Sequence, residues 1–489
     1  MDYSGLDTTA AEPDPSAMIE TFRAIGYSIE SAVADIVDNS ISAGAKNVWI
    51  NFEWQGESTW FAIRDDGYGM NNDELVQALK PGSKNPLENR SSSDLGRFGL
   101  GLKTASFSQC RMLSVVSRKA QYSPVFWTWD LDYVQTEGRW DLVKYLPANR
   151  FLEQLDSTSS GTIVIWNKLD RLVGDLKRED QRALDKFLVI MENVKKHLAM
   201  VFHKYLETGR IKIYFQERSL SAWNPFMVAE SATQGFPEEP LYNGKVRMKG
   251  YVLPHKSKLS EDRFRNGEGP KGWNGQQGFY VYRNDRMLLA GDWLGMFRKE
   301  EHYKLARLEI NLPNNLDAEW QIDIKKSVAR PPLFIREQLK AYASSVRAQA
   351  VEVYRHKGKN IKPYAGHPFV PLWIEHKRGD KWFYKVNRTN PVLDLIKEQA
   401  LKNPESAIEA LLKLVEESIP VRSIYIREAE ESETQGKPFE GGDQELIKRT
   451  MKHMFENLTM HGKDPIQAKA IVMNIEPFNQ FPEFLEYLN

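Results

Sequence analysis

Between Ile29 and Lys103 the chain sets three polar or glycine-rich clusters among apolar periodic segments, and their fixed order constrains the fold more than any one cluster does. The first lies in a helix read from Ile19 to Ala43: Ile29, Ala32, Val33, Ile36 and Val37 recur at helical spacing, and Ala43-Gly44-Ala45 supplies a stop. Within it Asp35, Asn39 and Ala43 stand four apart and share a face, so a carboxylate, an amide and a small residue line one wall. Such a wall suits a metal-bound nucleotide. An amide oxygen can ligate Mg2+ between phosphates, and a carboxylate one turn earlier can orient a water for attack. Alone, the same pattern also describes the solvated side of an amphipathic helix.

Asn47 to Glu53 and Thr59 to Arg64 flank Gln55-Gly56-Glu57 and read as a two-stranded hairpin. The second cluster follows it, Arg64-Asp65-Asp66-Gly67-Tyr68-Gly69-Met70, a tight turn whose Asp can accept a hydrogen bond from an adenine amino group; an ordinary Asp-Gly turn reads alike. From Asp65 to Gly101 the chain is polar and glycine-rich, broken by a short helix near Asp73 to Leu79, which fits a functional loop or lid. The third cluster, Leu95-Gly96-Arg97-Phe98-Gly99-Leu100-Gly101-Leu102-Lys103, opens a helix-like run to Cys110. Its glycines let backbone N–H groups approach an anion, and Lys103 adds charge. Gly161-Thr162 then begins an apolar strand.

All four arriving in order resembles the GHKL superfamily, with the MutL and MORC ATPases as the nearest pattern. The resemblance covers the first third of the chain. It implies an α+β fold: a Bergerat-type α/β sandwich that binds ATP at residues 1–175, a transducer-like α/β domain at 176–360, and a mixed, largely helical region at 361–489. It implies Asp35 as the base and Asn39 as the Mg2+ ligand, with Ala43 on the same wall. Asp65, Gly67, Gly69 and Met70 form the adenine box, and Gly96, Arg97, Phe98, Gly99, Leu100, Gly101 and Lys103 the lid hinge, with Thr162 on the closing strand. Ser83 and Lys84 look like the phosphate-side lid segment of MutL and MORC proteins rather than the compact lid of sensor histidine kinases, and no helix with a suitable phosphoacceptor His precedes the domain. These relatives usually carry Glu at the base position. Asp35 sets the carboxylate back by about 1.5 Å, and a displacement of about 1 Å can cost roughly 100-fold in rate, so the resemblance supports binding more firmly than turnover. Asp38 sits on another helical face and reads as a supporting or capping carboxylate.

Further strands are read at Leu113 to Arg118, Val125 to Asp130 and Gly161 to Trp166. The second domain is read from a helix over Glu179 to Tyr205 and strands at Ile211 to Gln216, Lys245 to Leu253 and Gly278 to Tyr282. Gly278 to Arg286 resembles a transducer strand and turn, although a surface hairpin has the same pattern. In related proteins a lysine of this domain reaches the γ-phosphate, and Lys325 or Lys326 is placed for that role; a solvated pair of lysines is the alternative. Beyond it come a hairpin over Trp373 to Val386, helices at Pro404 to Glu417 and Gln444 to Leu458, and a candidate linker at Arg427 to Gly442.

The chain has 489 residues, enough for two or three domains, with 41% apolar and 27% charged residues, the composition of an ordered globular protein. Lys plus Arg and Asp plus Glu both total 66, so there is no bulk attraction for DNA or an anionic membrane. The single Cys110 excludes an internal disulfide and a thiolate metal cage and fits a reducing cytoplasm. The acidic stretch from Met1 to Ser16 is unlike a signal peptide, and no apolar run of about 18 residues suggests a membrane span. The expectation is a cytoplasmic, slow ATPase whose nucleotide state controls closure of a homodimer. Proteins of this pattern also accompany nucleases or helicases in prokaryotic restriction and anti-phage systems. Three alternatives stand beside it: a non-hydrolysing ATP-dependent clamp or scaffold, a chaperone-like client binder, and a DNA-binding protein using His255 to Lys271 or His376 to Arg388.

Overall fold

The computed structural model describes residues 7, 9, 13–82, 101–156, 158–174, 176–313, 316, 319–322, 329–355, 370–378, 381–430, 444–475, 478 and 481–488. Helix α1 (Pro15–Ala24) opens on Asp14, whose carboxylate accepts from the Ala17 N–H, with Pro15 at the first turn where its missing donor costs nothing. Gly26, at φ 76°, then turns the chain, and the Ser28 hydroxyl caps α2 (Ile29–Ser42) by accepting from the Ser31 N–H. The single helix expected from Ile19 to Ala43 is therefore two, because a left-handed glycine followed by a serine cap ends one helix and starts the next, while apolar spacing carries on across the break.

The chain continues through β1 (Asn47–Glu53), β2 (Trp60–Asp65), α3 (Asn72–Leu79), α4 (Gly101–Phe107), β3 (Met112–Arg118), β4 (Val125–Asp130), α5 (Leu131–Glu137), α6 (Arg150–Asp156) and β5 (Gly161–Asn167). It then forms α7 (Gln181–Val201), α8 (His203–Glu207), β6 (Lys212–Phe215) and β7 (Arg218–Ser219). These strands make one seven-stranded sheet in the order β4-β3-β5-β2-β1-β6-β7, antiparallel except where β6 runs parallel to β1, from Asn47↔Lys212 to Ile50↔Phe215. The expectation that Ile211 to Gln216 belongs to the second domain is thus corrected. α7, which packs on α2, supplies the helical crossover that a parallel pair needs, and its course back across the sheet delivers β6 to the edge of β1. The helix expected over Glu179 to Tyr205 is divided at Phe202 into α7 and α8.

One face of this sheet is buried by the helices, with Val33 and Val37 of α2, Val48 and Ile50 of β1, and Leu198 of α7 in a common core. On the other face α6 covers β3 and β5, where Phe151 and Leu155 pack with Val116, Ile163 and Ile165.

A second sheet contains β8 (Gln234–Gly235), β9 (Glu239–Leu241) and β10 (Val246–Val252); after α9 (Glu261–Gly267) and α10 (Gly272–Gly275) come β11 (Gly278–Arg283), β12 (Arg286–Asp292) and β13 (Ala306–Leu312), and α11 (Leu333–Arg355) packs on β10 and β13. The order is β12-β11-β13-β10-β8, with β9 also on β10 and with β11 parallel to β13. Tyr280, Tyr282 and Met287 share one core cluster with Val194, Leu198 and Phe202, so apolar packing is continuous between the two sheets. Residues Met1–Lys359 form one compact unit and Asn360–Asn489 another.

In the second unit β14 (Trp373–Arg378) and β15 (Lys381–Val386) pair antiparallel, and α12 (Pro391–Ala400), α13 (Pro404–Ser418), α14 (Val421–Glu430), α15 (Gln444–Met460) and α16 (Pro465–Met473) follow. Asn390, Asn403 and Asp464 cap α12, α13 and α16, each with proline in the first turn. Of the expected linker, Arg427 to Glu430 instead close α14, where the helix that begins at Val421 runs on; residues 431–442 lie outside the described residues. Among the described residues, no helix is long and apolar enough to cross a membrane.

Candidate nucleotide site

Asp65 ends β2 in the middle of the first sheet, paired with Thr162 of β5, and the chain must turn sharply beyond it. Its Oδ1 accepts from the Gly67 N–H at 2.9 Å and its Oδ2 from the Ser40 hydroxyl of α2 at 2.8 Å. Gly67 lies so close to α2 that a Cβ there would sit 2.8 Å from the Ala43 Cβ. Gly69 adopts φ 66°, and a Cβ on it would stand 1.8 Å from the Arg118 carbonyl oxygen, which only glycine avoids. The Tyr68 N–H donates to the Ala43 carbonyl at 3.0 Å, and the Met70 N–H to the Ser117 hydroxyl at 2.9 Å, itself 2.9 Å from the Thr162 hydroxyl. Asp66 accepts from the Lys46 and Asn47 N–H groups at 2.7 and 2.9 Å, tying the exit of α2 to the same turn. Burial pushes the Asp65 carboxyl up to about 6, against the opposing effect of its Gly67 and Ser40 donors.

Asp35, 5% exposed, faces the start of α4: a Cβ on Gly101 would lie 3.8 Å from its Oδ2. The buried Tyr27 hydroxyl donates to that same Oδ2 at 3.1 Å, and the Gln109 amide holds Tyr27 by donating to its carbonyl at 3.0 Å. Arg23 of α1 reaches the other end of α4, donating to the Phe107 and Cys110 carbonyls at 2.8 and 3.0 Å, where cations and donors complete a helix C-terminus. Lys103 is 1% exposed and donates to the Ala78 carbonyl at the end of α3 at 3.0 Å, and the helix begins two residues before it, at Gly101. Cys110 is buried, and desolvation raises its thiol far above the ordinary range.

α2 therefore gathers the first cluster, the Asp65 turn and Gly101. Asn39 is exposed while its neighbours Asp38 and Ser40 are buried, Ala43 is half-buried against Gly67, and Met70 packs at the margin of the core. Ser83, Lys84, Gly96, Arg97, Phe98, Gly99 and Leu100, and the two lysines Lys325 and Lys326, lie outside the described residues. Among the described residues no group of three or more His, Cys, Asp or Glu side chains is placed to hold a metal ion. The exposed Asn39 amide fits a Mg2+ that takes most of its ligands from phosphate and water.

Two contributors escaped the sequence reading. Ser40 was hidden in the helix motif, and Tyr27 precedes it in a segment read only as helix. Asp38, read as a supporting or capping carboxylate, is 2% exposed and paired with Arg286 of β12, whose Nε lies 3.1 and 3.2 Å from its two oxygens. His197 of α7 is held down to about 3 by desolvation, with Arg286 and Lys271 adding to the effect.

The fold and the turn around Asp65 define a class, and sequence comparison agrees: residues 27–162 match the family "Histidine kinase-, DNA gyrase B-, and HSP90-like ATPase". Residues 27–162 are thus similar to a GHKL domain. Its relatives include the chaperone protein HtpG of Rickettsia canadensis, 27% identical over 194 residues, covering 37% of this chain and 28% of that protein. ATPase morc-1 of Caenorhabditis elegans is 29% identical over 213 residues, 36% of this chain and 25% of the relative. The DNA mismatch repair protein MutL of Aeromonas hydrophila is 37% identical over 124 residues, 24% of this chain and 18% of the relative. The chain spans about a quarter of the length of the first two of these relatives.

Proposed function

We propose that the chain binds ATP against α2, hydrolyses it slowly, and uses the bound state to close a homodimer. The observation that carries this reading is the Asp65 carboxylate, buried at the end of β2 and locked by Ser40 and Gly67 beside Ala43. An ionised carboxylate there accepts the adenine amino group, and the exposed Asn39 holds Mg2+ on the phosphate side. Asp35 accepts the proton of the attacking water, and Tyr27 fixes one of its oxygens. Lys325 or Lys326 of the transducer-like second domain reaches the γ-phosphate. Asp35→Asn preserves shape while removing the proton acceptor, so it keeps ATP binding and loses phosphate release. Light scattering with ATP then finds a trapped dimer. Hydrolysis unchanged in Asp35→Asn removes the base, and a mass unaffected by ATP removes the dimer switch.

The second reading is a clamp that binds ATP without turnover. The short Asp35 side chain, with its Oδ2 engaged by Tyr27, favours it. Phosphate release separates the two. A nuclease or helicase partner in an anti-phage setting belongs to the first reading and is tested by co-purification from a prokaryotic host.

A further inference from the structure

We infer that Arg286 is a positioning residue for the nucleotide site, holding α2 in register with the second sheet through its buried pair with Asp38. The inference rests on the nucleotide reading of α2 and adds to it the route by which the second sheet acts on that helix. Asp38 is adjacent to Asn39 and one turn from Asp35, so a force on its carboxylate is a force on both. The Arg286 Nε faces both carboxylate oxygens, at 3.1 and 3.2 Å, with the two side chains 5% and 2% exposed.

Arg286 is delivered by a rigid turn. Asn284 and Asp285 adopt φ 49° and 64°, the left-handed pair of a tight hairpin connection between β11 and β12. The Asn284 carbonyl accepts from the Tyr205 hydroxyl at 2.7 Å, and Asp285 pairs with Arg210 at 2.7 Å. Behind the turn, the Tyr282 hydroxyl meets the His203 ring at 2.8 Å. Arg286 also donates to the Met287 carbonyl, and its guanidinium lies over the Phe202 ring. The hairpin tip is thus fixed to the junction of α7 and α8 on one side and grips α2 on the other.

Energetics argue that this pair does more than stabilise. Two charges withdrawn from water forfeit hydration worth several kcal/mol each, and a well-packed apolar pair of similar volume is often as stable. What an apolar pair lacks is direction: the Arg286 Nε–H is shared between the two Asp38 oxygens while Nη1 is held by the Met287 carbonyl, so sliding α2 past the hairpin pulls the carboxylate off its donor. Rotation of the second sheet must therefore carry α2 with it or break the pair.

The test uses the full chain in three forms, wild type, Asp38→Leu/Arg286→Met and Arg286→Lys, with MgATP affinity measured first by titration. Hydrogen exchange of the amides from Val281 to Met287 is then followed with and without MgATP. Wild type is expected to bind ATP and slow exchange at the hairpin. The apolar pair is expected to bind ATP within roughly threefold of wild type, a difference under about 1 kcal/mol, yet to lose the hairpin response. Where phosphate is released, kcat falls at least about tenfold with KM unchanged, the division expected when positioning and not binding is lost. Arg286→Lys keeps a cation beside Asp38 and restores part of the response; should the apolar pair not fold, a response in Arg286→Lys weaker than wild type carries the same support. ATP binding that leaves the wild-type hairpin unchanged overturns the inference alone, as does a full response in both variants. Failure of wild type to bind ATP removes the nucleotide reading with it, and the titration reveals that directly.

Discussion

Asp65 is pulled in two directions by its surroundings. Burial raises its folded pKa to about 6, above the roughly 3.9 of an exposed Asp, so between these values the folded state holds the proton more tightly than the unfolded chain. Its favourable contribution is complete below about pH 4 and is lost as pH rises through about 6. At pH 8 an ionised Asp65 costs up to about 3 kcal/mol, two pKa units at 1.36 kcal/mol each. Asp65→Asn keeps an acceptor oxygen for the Gly67 N–H, turns its NH2 toward the Ser40 hydroxyl, which can accept, and removes the charge, so the ligand-free variant is expected to be more stable than wild type at pH 8, with the gap closing toward pH 4. Urea denaturation at both pH values checks this, and a gap of constant size contradicts it. Tyr27 supports a second prediction. Tyr27→Phe keeps the ring and deletes the hydroxyl that donates to Asp35, a hydrogen bond to a charged group worth roughly 1.5 to 3 kcal/mol. Phosphate release should slow about tenfold or more while ATP affinity changes little; an unchanged rate would detach Tyr27 from the chemistry.

The elements divide into those the sequence announces and those that tertiary structure assigns. β1, β2, β3, β4 and β5 were legible because each carries alternate or continuous apolar residues along its sequence. The turn after Asp65 was legible through its glycines, and Gly69 shows why: with a Cβ it would meet the Arg118 carbonyl at 1.8 Å. Gly69→Ala is expected to destabilise the fold by more than about 2 kcal/mol, from left-handed strain and displaced β3 backbone together, read as a lowered denaturation midpoint; an unchanged midpoint would contradict that crowding. β6 was legible as a strand but not as a member of the first sheet, since its partner β1 is chosen by where α7 leads the chain. The break at Gly26 was missed because apolar spacing continues across it. The pair of Asp38 with Arg286 was invisible for a simpler reason: its members stand 248 positions apart, and no local pattern links them.

At the scale of the molecule, residues of both sheets in the first unit pack with α7 and α2 in one core cluster. The second unit, with its hairpin and helices, has a core of its own built on Met451, Phe455 and Val472. On the reading proposed above, a nucleotide would lie against the helix whose Asp38 is paired with Arg286 of the second sheet, and that pair is the path by which a response to ATP would reach it. Beneath this proposal lies adenine recognition by the Asp65 carboxylate. Equilibrium titration of wild type and Asp65→Asn with ATP and GTP tests it most directly. The account predicts that wild type prefers ATP over GTP and that Asp65→Asn loses about 1.5 to 3 kcal/mol of ATP affinity, roughly tenfold to 150-fold. Equal binding of the two nucleotides by wild type, or an ATP affinity unchanged in Asp65→Asn, would contradict it.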